Sequence, residues 1–147
     1  MASEEQRLVA ETARAFARER LAPRAREWER AGELPREVLA ELGRLGFLGM
    51  TVPPEWGGAG TDYVSYALAL MAIAGGDGAV STVMSVQNAP VNTLLLRHGS
   101  EAQKRRWLAP LARGEIIGAF ALTEPQAGSD AANLATRAVR RGSRWVL

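Results

Sequence analysis

The chain of 147 residues has no cysteine and one histidine, His98. Without cysteine it can hold no disulfide framework, no thiolate metal site and no cysteine nucleophile. The single histidine argues against a histidine-based catalytic triad or metal cluster. We interpret His98 as a polar residue at a helix end, where a cation suits the helix dipole.

Long apolar runs are also absent. The longest run, residues 67–74, is far shorter than the roughly 18 residues of a membrane-spanning helix. The N-terminal "MASEEQRL" is acidic and polar, which is typical of neither a signal peptide nor a transit peptide. We therefore expect a cytoplasmic protein with no membrane span.

Charge of one sign is not clustered. The chain has 18 basic and 16 acidic residues, and arginine and glutamate interleave in stretches such as "ARERLAPRAREWERAGELPRE". This pattern is typical of solvated helix faces, whereas a nucleic-acid-binding surface clusters basic residues without interleaved acids. Nucleic acid is therefore not an expected partner.

The spacing of apolar residues predicts five helices in the first part of the chain. They cover residues 3–30 with a kink at Pro23, 35–45, 61–74, 77–97 with a disturbance at Pro90, and 100–113. Thr61 or Asp62 can cap the third of these helices, Asp77 the fourth and Ser100 the fifth. The helix over 61–74 is apolar nearly all round, so we expect it to be buried centrally.

After Gly114 the pattern changes to that of β-strands. Residues 116–123 predict one strand, and residues 135–147 predict a hairpin. The fold class is mostly α: an up-down helical bundle (residues 1–113) followed by the first strands of an incomplete β-domain (114–147). So few strands do not form a stable sheet, so we expect exposed apolar surface and a chain that is the front part of a larger protein. Trp107 and Trp145 are predicted to be core residues, and Trp56 a packed loop anchor.

The segment "FALTEPQAGSD", residues 120–130, is the candidate functional site. It predicts a strand end followed by a turn, with hydroxyls at Thr123 and Ser129 and small residues at Ala127 and Gly128. Free backbone groups and hydroxyls at such an edge can bind a planar heteroaromatic ring, and glycine allows close approach. From the spacing alone, an ordinary strand and turn is the stronger interpretation.

The longer stretch "ALTEPQAGSDAAN" resembles the signature of the acyl-CoA dehydrogenase flavoprotein family. The segments "LPREVLAELGRLGFLGMTVPPEWGGAGTDYVSYALAL" and "HGSEAQKRRWLAPLARGEIIGAFALTEP" resemble further parts of it, in the same order. Asn133 departs from the small residue usual there, and "MAIAGGDG" departs from the charged end usual for the third helix. The resemblance implies the first domain and the opening strands of the second in a three-domain protein.

The resemblance also implies an activity, FAD-dependent dehydrogenation of acyl-CoA thioesters to 2-enoyl-CoA. In the family a carboxylate removes the α-proton, a hydride passes to the flavin, and an electron-transfer flavoprotein accepts the electrons. The catalytic glutamate of the family lies in the C-terminal domain, so no residue here is expected to be catalytic and this chain alone should be inactive. A homo-oligomer is expected for the full-length protein.

Site roles follow from the same resemblance. Phe120, Leu122 and Thr123 would meet the flavin ring, while Gly128 and Ser129 would lie where FAD and CoA meet, with Ser129 as the substrate contact. Glu124 and Asp130 are expected to fix the loop and pair with arginines rather than act as acid and base. A second group could line the acyl pocket or belong to the core, with equal support: Thr82, Val86 and Asn88.

Two other functions remain open at this point. The bundle could bind acyl-CoA or a partner without redox chemistry, or the protein could be a related flavin-dependent acyl-CoA oxidase. A flavin spectrum separates the first of these from the dehydrogenase, and oxygen consumption separates the second.

Overall fold

Helices follow one another from residue 4 to residue 112, and a β-hairpin lies near the end of the 2–147 range described by the computed structural model. The α-helices are α1 (Glu4–Phe16), α2 (Ala25–Ala31), α3 (Arg36–Arg44), α4 (Tyr63–Ala74), α5 (Gly78–Val86), α6 (Thr93–His98), α7 (Glu101–Gln103) and α8 (Ala109–Ala112). The strands are β1 (Val139–Arg141) and β2 (Arg144–Val146). The fold class, a mostly helical chain followed by a short antiparallel sheet, is confirmed. No helix within residues 2–147 combines the length and apolar character that crossing a membrane requires.

Side-chain caps begin the helices where the sequence predicted them. The Asp62 carboxylate accepts a hydrogen bond from the Ser65 amide at 2.7 Å, and Asp77 caps α5 in the same way. Ser100 and Gln103 exchange side-chain and backbone hydrogen bonds in a capping box at α7. These bonds satisfy amides that have no partner within the helix, so all three predicted starts are confirmed.

Three π-helical segments widen the helices within residues 2–147. They cover Ala17–Leu21 after α1, Gln87–Asn92 between α5 and α6, and Lys104–Leu108 between α7 and α8. Pro90 lies inside the second segment, and Pro23 lies in the turn that separates the first segment from α2. The disturbance predicted at Pro90 is therefore a local widening of a continuous helix over residues 78–98.

The main core lies where α1, α3, α4 and α5 meet. Its fully buried side chains include Leu21, Leu42, Leu48, Ile73 and Met84. A smaller cluster forms around Leu108, and Trp56 packs against it. The Lys104 ammonium lies 5.6 Å from the centroid of the Trp56 ring. Trp56 is thus a packed loop residue, as the sequence predicted.

The prediction that α4 is buried centrally is wrong for one of its faces. Ala69 and Ile73 are fully buried, but Tyr63 is 66% exposed and Met71 is 72% exposed. α4 packs on α1 and α5 with one face, and its opposite apolar face contacts solvent. Apolar residues all round a helix do not determine how many of its faces pack against other elements.

The hairpin is confirmed, and it pairs Val139 with Val146 and Arg140 with Trp145. The strand predicted at 116–123 is wrong, because this stretch joins no ladder within residues 2–147. Trp145 is 67% exposed, because a two-stranded hairpin offers it no core. Trp107 is 43% exposed beneath the Arg106 guanidinium. Both tryptophans were wrongly predicted as core, whereas the expected exposed apolar surface on the hairpin is present.

Candidate functional site

The segment of residues 119–123 crosses the surface without a strand partner. Phe120 is 44% exposed, Leu122 is 39% exposed, and Thr123 is exposed. Within residues 2–147, no hydrogen bond uses the backbone N–H of Leu122 or Thr123. The N–H groups of Ala119, Phe120 and Ala121 are equally unused within this range, so the segment presents a run of five free donors, of which the last two lie beside the Thr123 hydroxyl.

A tight turn ends this segment. The Glu124 amide donates to the Ala127 carbonyl at 2.9 Å, and the Ala127 amide donates back to the Glu124 carbonyl at 3.1 Å. Pro125 lies inside the turn, and Ala127 is only 2% exposed. The turn is thus closed by two reciprocal backbone bonds and anchored by one buried methyl group.

The Glu124 carboxylate joins the turn to the chain that leads into β1. It accepts the Ala135 amide at 2.8 Å and the Thr136 amide at 3.0 Å, and the Gln126 side chain also donates to it. Hydrogen bonding from the Thr136 side chain, and then from the Ala135 and Thr136 amides, lowers the pKa of Glu124 to about 2. An ionised carboxylate whose two oxygens both accept hydrogen bonds fixes a loop well and is unsuited to act as a general base.

The arginine pairing expected for Glu124 and Asp130 is absent within residues 2–147. Instead the Asp130 carbonyl accepts the Asn133 amide at 3.1 Å, and the Asn133 side chain donates to the Gln126 carbonyl at 3.2 Å. Asn133, the departure from the family signature, therefore closes the loop with a bond that a small apolar residue cannot make.

Gly128 and Ser129 lie on the open side of this loop. Both are exposed, and a Cβ built at Gly128 would meet no atom within 4 Å. The loop leaves space for a ligand at this point, and the Ser129 side chain is accessible.

Gln87 is a structural partner of the site that the sequence reasoning missed. Its side chain is fully buried, and its amide nitrogen donates to the Leu111 carbonyl at 2.8 Å and to the Ile116 carbonyl at 3.1 Å. Its oxygen accepts the Gly118 amide at 2.9 Å. The available signal was a polar pair, Gln87 and Asn88, inside an otherwise apolar helix.

Asn88, one of the three candidates for an acyl pocket, lies in the core. It is 1% exposed, accepts the Met50 amide at 2.7 Å, and donates to the Phe47 and Met84 carbonyls at 2.7 and 2.9 Å. Thr82 is exposed on another face of the same helix, and Val86 is partly buried. The three side chains therefore do not share one environment.

The sequence model described as "Acyl-CoA dehydrogenase, N-terminal domain" matches residues 3–115. The chain belongs to the acyl-CoA dehydrogenase family. An acyl-CoA dehydrogenase of Bacillus subtilis (strain 168) is 39% identical over 145 residues, which cover 99% of this chain and 38% of that protein. The chain thus spans a little over a third of the length of this curated relative.

Solved structures of acyl-CoA dehydrogenase relatives have the same fold. Glutaryl-CoA dehydrogenase of Mycobacterium smegmatis in complex with FADH2 matches with a TM-score of 0.92 and 43% identity, over 98% of this chain and 37% of that chain. A structure of the electron transferring flavoprotein of Acidaminococcus fermentans contains a chain that matches with a TM-score of 0.90 and 36% identity, over 99% and 38% of the two chains. The helical arrangement and the following loop therefore belong to the family fold.

Proposed function

We propose that this chain is the N-terminal part of an FAD-dependent acyl-CoA dehydrogenase, and that residues 120–129 form one edge of its flavin site. The observation that carries the proposal is the run of unused backbone N–H groups over residues 119–123, which ends at Leu122 and Thr123 on the segment that resembles the family signature. Exposed donors of this kind need a partner, and water or a ligand must supply it.

The residues present fit an edge of FAD. Two adjacent N–H donors and the Thr123 hydroxyl suit the acceptor atoms of an isoalloxazine ring, and the exposed Phe120 side chain can cover an apolar part of it. The open space at Gly128 permits close approach of backbone to ligand. In this proposal Ser129 lies where FAD and the CoA part of the substrate meet, and its hydroxyl binds the substrate.

FAD, when bound, supplies the two-electron oxidation of an acyl-CoA thioester to 2-enoyl-CoA. The residues of this chain bind and orient rather than transfer protons. Glu124 is the carboxylate nearest the segment in sequence, but its pKa of about 2 and its occupied oxygens make it a poor base. The proposal therefore assigns the base to the remainder of the full-length enzyme.

The partners in this proposal are an acyl-CoA substrate and an electron-transfer flavoprotein. Support comes from the CoA thioester in the name of the Mycobacterium relative and from the match to a chain in the Acidaminococcus flavoprotein structure. We propose a homo-oligomer for the full-length enzyme. Measuring oxygen consumption with acyl-CoA in that enzyme separates a dehydrogenase, which consumes little, from an oxidase.

An FAD titration of this chain, followed by flavin fluorescence, tests the cofactor site. Thr123→Ala removes one hydroxyl contact and should raise the Kd about twofold to thirteenfold, because a net hydrogen bond contributes roughly 0.5–1.5 kcal/mol. Ser143→Ala removes an exposed hydroxyl in the hairpin turn and serves as the matched control, with no change expected. Saturable binding that both variants leave unchanged would place FAD elsewhere on the chain.

A comparison of CoA and FAD affinities tests the role assigned to Ser129. CoA should bind to the chain in the presence of FAD, and Ser129→Ala should weaken CoA binding more than FAD binding. An equal effect of Ser129→Ala on both ligands would contradict the substrate assignment.

A further inference from the structure

One buried side chain, that of Gln87, attaches the chain just before residues 119–123 to the helical bundle. Gln87 bonds the carbonyls of Leu111 and Ile116 and the amide of Gly118 with a single carboxamide. Gln87 is 0% exposed, so these bonds form away from solvent. A buried amide with every bond made restricts its partners to one arrangement.

Close packing also holds the backbone at Gly118 in place, in addition to its hydrogen bond with Gln87. A Cβ added to Gly118 would lie 2.6 Å from Val91 Cγ1 and 3.1 Å from Leu111 Cδ2. The backbone at Gly118 is therefore held against the helix over 78–98 at a distance that a side chain would not allow. Val91 lies on that helix, one turn beyond Gln87, so bond and packing act together.

We propose that Gln87 is a positioning residue for the cofactor segment: it sets the depth at which residues 119–123 leave the bundle, and so the placement of the Leu122 and Thr123 donors. This inference rests on the proposed flavin site. Gln87 itself does not contact the cofactor, because it is buried and its polar atoms are occupied. At its far end the segment is held by Glu124, so residues 119–123 lie between two anchors.

The test compares two substitutions of buried amides on the same helix, in the ¹⁵N-labelled chain. Gln87→Met keeps the length of the side chain and removes its donors and acceptor. Asn92→Leu is the matched control, because Asn92 is also 0% exposed but donates to the Leu48 carbonyl, away from the segment. Amide hydrogen exchange of Gly118, normalised to the core of α1, and the FAD Kd are measured for both.

We expect Gln87→Met to speed Gly118 exchange at least about tenfold, to shift the Leu122 and Thr123 amide resonances, and to raise the FAD Kd about fivefold or more. Asn92→Leu should change neither the Gly118 exchange rate after normalisation, nor the two amide resonances, nor the FAD Kd. This holds even if Asn92→Leu lowers the free energy of unfolding as much as Gln87→Met does. The inference is overturned if Gly118 exchange does not change in Gln87→Met, or if both variants raise the Kd equally.

Failure of the proposed function gives a different result. If the unmodified chain binds no FAD, the flavin site in this chain is refuted, while Gly118 exchange and the two amide shifts still decide whether Gln87 positions the segment. If Gln87→Met does not fold, Gly118→Ala displaces the segment with Gln87 intact and should raise the Kd. Adding Val91→Ala removes the nearest overlap and should lower the Kd again, and no recovery would contradict the packing argument.

Discussion

Removal of the Asn88 side chain should destabilise the helical bundle severely. The Met50 amide and the Phe47 carbonyl each have Asn88 as their one hydrogen-bond partner within residues 2–147. Each buried polar group left without a partner costs roughly 1–3 kcal/mol. Asn88→Ala should therefore lower the free energy of unfolding by about 2–6 kcal/mol, a large part of the roughly 5–15 kcal/mol of a typical domain.

Urea denaturation followed by far-UV circular dichroism measures this loss through the shift of the midpoint. Thr82→Ala is the control on the same helix: its hydroxyl is exposed and donates only to the Gly78 carbonyl, so a change within about 0.5 kcal/mol is expected. A loss below about 1 kcal/mol for Asn88→Ala would refute the reasoning, because it would mean that the two backbone groups find other partners.

Two further predictions concern the loop and the packing of glycine. The folded-state pKa of Glu124 is lowered from 4.5 to about 2. Its contribution to the free energy of unfolding is therefore complete above about pH 4.5 and is lost as the pH falls towards 2. The two backbone amides that it binds should therefore titrate by NMR with a midpoint near 2, and a midpoint above 4 would contradict the bonding. Gly49→Ala should destabilise the chain by about 1–3 kcal/mol in urea, since its Cβ would lie 2.5 Å from the Ala112 carbonyl oxygen. Gly78→Ala, whose Cβ would meet no atom within 4 Å, should be close to neutral, and equal effects would contradict the packing argument.

The helix starts could be predicted from the sequence because capping is local. Asp62, Asp77 and Ser100 each accept a hydrogen bond from an amide three residues on, so the signal and the structure lie within a few residues. The hairpin was predictable for the same reason, since Gly142 supplies the positive φ that its turn requires.

Burial and pairing were less predictable because they depend on distant parts of the chain. The apolar stretch 116–123 suits a strand, but a ladder also needs a neighbour, and none is paired with it within residues 2–147. Trp145 and Met71 have apolar side chains, yet both are exposed in the structure. The role of Gln87 depends on contacts 24–31 residues away in sequence, which no local pattern reveals.

Within the candidate site, the resemblance indicated the segment and the structure shows how the segment is held. Free donors at Leu122 and Thr123 are consistent with its proposed role, which the FAD titration tests directly. That Glu124 fixes the loop was expected, but its partners, the Ala135 and Thr136 amides, could not be foreseen because they lie 11 and 12 residues further along the chain. Asn133 is the opposite case. It departs from the signature, yet its side chain makes a hydrogen bond that closes the loop.

The π-helical segment Gln87–Asn92 makes the register of the helix over 78–98 depend on one additional residue. Deleting a residue there, with Pro90 as the obvious choice because it has no N–H to lose, would favour regular α-helix. Because the deletion takes out the residue that the wider turn accommodates, α6 would keep its orientation relative to α5, and the change would be confined to the stretch itself. Val91 would follow Gln87 by three positions instead of four, so the two side chains that hold Gly118 would be displaced relative to each other. The number of residues in this stretch, as much as their identity, thus determines how Gln87 and Val91 meet Gly118.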